Sequence, residues 1–134
     1  SVQREAGRVV SHEVDSAQPE TLVRALAELL PTGAVQREDA AAWVAFGAAA
    51  STRPWLADPY WEALQIMRTW VEGILADARK AGRMRVDLSP AEGARLVTAV
   101  VNGLTLDLLN APPTESDEVI GQLRSGLGLI LRGL

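Results

Sequence analysis

The chain has 134 residues, enough for one domain whose core needs neither disulfides nor a structural metal. With 48% apolar and 22% charged residues it lies outside the range of disordered chains, and a net charge of -4 argues against nucleic-acid binding by this chain alone. No cysteine is present, which excludes disulfides, thiolate metal sites and cysteine nucleophiles, and the single histidine, His12, excludes a multi-histidine metal cluster.

Val2, Ala6, Val9, Val10 and Val14 fall on one side of an amphipathic helix expected over 2–15. Pro19 suits a first helical turn, and Leu22, Val23, Leu26, Leu29 and Leu30 form an apolar stripe that runs until Pro31 and Gly33. Glu38 and Asp39 suit the N-terminus of a third helix, Ala-rich through Ala50 and stopped by Arg53-Pro54. The fourth helix, expected over 57–81, carries one apolar row of Leu56, Tyr60, Leu64, Met67, Val71, Ile74, Leu75 and Ala78. A second row of Ala63, Ile66, Trp70 and Gly73 predicts that neighbours enclose it, and Gly82 ends it. Ser89-Pro90-Ala91-Glu92 is a capping box that opens a fifth helix reaching Asn110. Pro112-Pro113 separates it from a last helix expected over 115–132. Strand signals, internal repeats and low-complexity tracts are few or absent.

The last two helices are each strongly apolar. Val119, Ile120, Leu123, Leu127, Ile130, Leu131 and Leu134 share one face, while the helix before has Val97, Val100, Val101, Leu104 and Leu108 on one side and Leu96, Ala99, Gly103 and Leu106 on another. One side can pack inward and the other against a second copy, as an isologous four-helix bundle. The alternative is that both faces are internal to one monomer.

Catalytic signals are weak. His12 has no evident partner, the pairs Asp58 with Glu62 and Asp117 with Glu118 lie where carboxylates offset helix dipoles, and Gly126-Leu127-Gly128 lacks the remainder of a dinucleotide fingerprint. No catalytic residue, metal ligand or cofactor is expected. No apolar run is long enough to cross a membrane and SVQREAGRVV carries no signal-peptide hydrophobic region, so a cytoplasmic location is expected, with no membrane partner.

Trp43, Phe46, Tyr60, Trp61 and Trp70 lie on the third and fourth helices, joined by a short connection. Together they suit an apolar aromatic cavity of the kind that takes small molecules, or else a plain core. Arg95, Thr98, Asn102 and Thr105 form a polar line at helical spacing, which either faces inward and orients a ligand or is a solvated stripe.

Trp43-Val44-Ala45-Phe46 with Ala49 and Pro54, then Trp70, Ala81-Gly82-Arg83, Ser89-Pro90-Ala91-Glu92-Gly93-Ala94 and Val101-Asn102-Gly103-Leu104, taken in order and spacing, resemble the C-terminal domain of TetR-type regulators. The branch that they resemble in particular is the one typified by the choline-responsive repressor of betaine synthesis. Asn102 departs from the common Val-Asp-Gly-Leu pattern at the acid. The resemblance implies an all-α helical bundle forming a single effector-binding and dimerisation domain over 1–134, in which 1–15 is a connecting helix and the dimerisation helices, 90–132, meet their copies in a four-helix bundle. It implies a homodimer face at Leu104, Leu108, Ile120, Leu123, Leu127 and Ile130. It also implies an effector cavity bordered by Trp43, Phe46, Tyr60, Leu64, Met67, Trp70 and Asn102, for a small apolar, aromatic or cationic molecule. DNA would be contacted only through an N-terminal helix-turn-helix domain that these residues do not include. The competing reading is a helical protein–protein interaction module that dimerises without a ligand.

Overall fold

The computed structural model describes residues 18–112 and 115–134, so the helix expected over 2–15 and His12 lie outside the described residues. Among the described residues there are five helices and no strand: α1 (Pro19–Ala27), α2 (Ala34–Ala50), α3 (Pro54–Lys80), α4 (Pro90–Asn110) and α5 (Ser116–Leu127).

Pro19 begins α1 in the first helical turn, where a missing N–H costs nothing. The helix ends at Ala27, and Leu29 and Leu30 continue the apolar stripe in tight turns, their N–H groups donating to the carbonyls of Leu26 and Ala27. Both leucines are still buried. Gly33, in extended conformation, precedes α2, which therefore starts four residues before Glu38. This corrects the expected boundary: Glu38 and Asp39 sit in the second turn, not at the helix N-terminus, and Asp39 is 1% exposed.

The α2–α3 connection is only residues 51–53, since Pro54 opens α3 and Pro59 lies inside it. Leu64, Val71, Ile74, Leu75 and Ala78 are buried along one side of α3. The second apolar row is enclosed only in part: Trp70 packs against the core, whereas Ile66 is 56% exposed and an added Cβ at Gly73 would meet nothing within 4 Å. Gly82, at φ +74°, closes α3 with the paired backbone bonds of a Schellman turn, Arg83 N–H to the Ala78 carbonyl and Gly82 N–H to that of Arg79.

The capping box is formed as expected: the Glu92 N–H donates to Ser89 Oγ and the Ser89 N–H to Glu92 Oε1, each at 3.1 Å. At Gly93 an added Cβ would lie 2.8 Å from Leu75 Cδ1 and 3.0 Å from Met84 Cε, so α4 approaches α3 closely there. The last helix stops at Leu127, short of the expected 132. Gly126 and Gly128 weaken helix propagation, and the tail instead pairs with the α3–α4 connection. Arg85 N–H donates to the Ile130 carbonyl and Arg132 N–H to that of Arg83, flanking an antiparallel bridge between Met84 and Leu131.

Helices α3 and α4 form the central pair, α2 packs against both, and α1 packs against α5 and α3. Their shared core contains Leu22, Leu26 and Leu30, with Val71, Leu75, Met84, Val97, Leu123 and Leu127, all 1% exposed or less. Among the described residues no helix is long and apolar enough to cross a membrane.

Candidate functional site

The resemblance-derived cavity residues divide into two groups. Trp43 and Phe46 of α2 meet Tyr60 of α3: the Trp43 and Tyr60 rings stack at 4.8 Å, and Phe46 stands edge-on to Trp43 at 6.0 Å and to Tyr60 at 5.3 Å. The spacing of Trp43 and Phe46, three residues apart, puts both on the α2 face toward α3, and Gly47 admits the Tyr60 ring, whose Cε1 would lie 3.0 Å from an added Cβ. From α4, Asn102 reaches the trio through Oδ1, which accepts a hydrogen bond from Trp43 Nε1 at 3.0 Å. All four side chains are half-buried. Burial raises the Tyr60 phenol above its ordinary range, and the nearby Arg68 charge partly opposes that shift.

Leu64, Met67 and Trp70 form the second group, farther along α3. Leu64 is buried, and Met67 and Trp70 are partly buried against the aliphatic core. Trp70 Nε1 is buried with no hydrogen-bond partner among the described residues. Trp61 does not join either group. It is 54% exposed, with the Arg68 guanidinium carbon 5.2 Å from the centre of its ring.

The polar line on α4 faces inward from Thr98 onward: Thr98 and Thr105 are each 3% exposed and Asn102 is half-buried, while Arg95 stays exposed. Each threonine hydroxyl donates back to its own helix, Thr98 to the Ala94 carbonyl at 2.9 Å and Thr105 to that of Val101 at 2.7 Å. Asn102 is thus the member of the line whose side chain crosses to another helix through an aromatic partner.

The residues carried over to a dimer face occupy a different place. Leu108, Leu123, Leu127 and Ile130 are 8% exposed or less in the chain's own core, and Leu104 and Ile120 pack against that core. Close contact of α4 with α5, where an added Cβ at Gly126 would lie 3.1 Å from Val100 Cγ1, turns these residues inward. What α4 presents outward is the other row: Leu96 and Leu106 are 47% and 49% exposed, Ala99 and Gly103 are exposed between them, and nothing lies within 4 Å of an added Cβ at Gly103.

Sequence reasoning missed two features. Asp39 is a buried carboxylate that the reading placed at a helix start, and Arg68 was not singled out although Trp61 precedes it by two helical turns. Among the described residues no group of three or more His, Cys, Asp or Glu could hold a metal ion.

Over residues 19–132 the chain matches the family described as BetI-type transcriptional repressor, C-terminal. Among solved structures it is similar to a transcriptional regulator from Rhodococcus sp. Rha1, with a TM-score of 0.68 and 26% identity over 96% of this chain and 80% of that one. No curated protein matches the chain.

Proposed function

The chain belongs to the family of BetI-type transcriptional repressor C-terminal domains, and on that premise we propose that it senses a small-molecule effector, forms a homodimer, and passes the state of its effector site to the DNA-binding region of a TetR-type regulator. The observation that carries the effector reading is the indole of Trp70. A buried donor left without an acceptor costs about 1–3 kcal/mol, which a bound molecule offering an oxygen would remove. The half-buried Trp43, Phe46, Tyr60 and Met67 supply apolar and aromatic surface on the same two helices, and their ring faces also suit a cation. An effector shifts the regulator only by its differential affinity for two arrangements of the helices.

A thermal-shift screen of small apolar and cationic compounds tests the reading. At least one compound should raise the unfolding midpoint, and the rise should shrink in Trp70→Phe, which keeps the ring but not the donor. A silent screen, or equal rises in both proteins, would overturn it.

For the dimer, the outward row of α4 is the face we propose. Leu96 and Leu106 offer apolar area, while Ala99 and Gly103 let a second α4 approach closely. Sedimentation should give a dimer that Leu106→Glu turns into a monomer. The second reading, a dimerisation module without a ligand, draws on the mutual ring contacts of Trp43, Phe46 and Tyr60, which leave each ring a partner within the chain. It expects Trp43→Ala to lower stability without changing any compound's effect.

A further inference from the structure

A shallow groove of about 230 Å³ between α3 and the first turns of α4 is lined by Arg68, Thr69 and Glu72 of the one and Ala91, Ala94 and Arg95 of the other. We propose that it binds a small anion, a carboxylate or phosphate group received end-on by the Arg68 guanidinium with Arg95 adding charge from the opposite helix.

Arg68 is held in place before any ligand arrives. A long arginine side chain on a helix surface normally loses rotamer freedom when it binds, and that loss offsets the gain. Arg68 is already restrained. Its guanidinium lies over Trp61, and its Nε donates to Thr98 Oγ1 at 3.4 Å. Thr98 is itself fixed, 3% exposed, with its proton directed to the Ala94 carbonyl, so a lone pair is left for Arg68. With Nε committed, the two terminal nitrogens remain without a hydrogen-bond partner among the described residues, and they form the fork that matches a carboxylate or phosphate edge.

Other arginines are used differently. The terminal nitrogens of Arg79 are spent on the Leu88 and Val86 carbonyls, Arg37 donates to the Leu109 carbonyl, and Arg85 is neutralised by both oxygens of Asp87. Glu72, four residues after Arg68, is the competitor to consider. Helical side chains lean toward the N-terminus, and stacking on Trp61, seven residues earlier, draws Arg68 away from it; no ion pair joins the two among the described residues. The groove then holds two positive charges against one negative, and Glu72 sets the limit on how much negative charge a ligand can carry toward that side.

The experiment uses the chain itself with sodium acetate and inorganic phosphate as probes, compared with sodium chloride at equal ionic strength. The expected result is a chemical-shift change at the Arg68 Nε–H in ¹⁵N-resolved spectra and a raised unfolding midpoint. The raised midpoint should be lost in Arg68→Gln, and both responses should be kept in Arg85→Gln. Arg68→Lys, with the charge but not the fork, should weaken binding by about tenfold or more. A stronger response to phosphate than to acetate assigns a phosphate ligand, and the reverse a carboxylate. An Arg68 signal unmoved by either anion overturns the proposal, as does an Arg68→Gln protein that responds like the parent. Should Arg68→Gln fail to fold, the parent's Arg68 signal and a weakened response in Arg95→Gln decide the matter.

Discussion

The two halves of α3 live in different surroundings. Beyond Trp70, Val71, Ile74, Leu75 and Ala78 are 3% exposed or less, closed in by aliphatic side chains from α1, α4 and α5. Before it, Trp55, Trp61 and Ile66 are more than half exposed, and Tyr60 is half-buried among rings. One half gains its stability from apolar area removed from water, which has no direction. The other keeps ring faces, an amide and a guanidinium in fixed orientations, which adds little to stability and much to recognition. Substitutions should therefore separate: in the second half they should act on folding, in the first on response to ligands.

The sharpest test of that contrast is Leu75→Ala, which should cost about 2–5 kcal/mol in denaturant unfolding through the cavity it leaves. If Phe46→Ala costs as much, the contrast breaks. Gly93→Ala comes next, because its new methyl group would press on Leu75 Cδ1 and Met84 Cε. A loss of about 1–3 kcal/mol is expected, read as a lower midpoint. Trp43→Phe keeps a ring but leaves Asn102 Oδ1 without its indole donor, for about 1 kcal/mol, and near-UV circular dichroism should register the altered stack. Ser89→Ala removes an N-cap acceptor for a comparable loss of about 1 kcal/mol, sited on neither half of α3 and so a neutral control.

The smallest effects are those of pH. The backbone hydrogen bond from Ser89, joined by its side chain, holds the Glu92 carboxyl below its ordinary value. A group whose folded value is depressed contributes above its unfolded value and loses that contribution as pH falls through the folded one. A slight acid-side loss of stability is therefore expected, absent in Glu92→Ala. Tyr60 has the opposite sign: its raised phenol contributes below the unfolded value, and stability declines as pH rises through the folded one. Alkaline unfolding of Tyr60→Phe should lack this component.

Where a local signal exists, it was readable from the residues alone. The capping box at Ser89 and the left-handed Gly82 mark the ends of helices by chemistry confined to a few neighbouring residues, and both boundaries stand. The start of α2 was misjudged because Glu38 and Asp39 looked like dipole partners, while the true start follows Gly33, which provides no side-chain cap. The last helix ended early because its tail bonds to Arg83 and Arg85, a pairing across a long stretch of chain that periodicity does not encode. The two apolar rows of α4 were visible, but which of them turns inward depends on α5 meeting Val100 through Gly126. At the candidate site the aromatic residues were legible by type and spacing, and the trio does assemble. The orientation of Trp61 away from it was not, because exposure on a helix is decided by its neighbours.

The bridge between Met84 and Leu131 has a topological consequence. It joins the connection before α4 to the tail after α5, so the two helices lie within a loop closed by backbone hydrogen bonds and by the buried side chains of Met84, Ile130 and Leu131. Closing that loop brings together residues distant along the chain, an entropic cost met only once the helices between are in place. The clasp is therefore expected to form late in folding, and amide exchange at Arg85 and Arg132 would report its fastening.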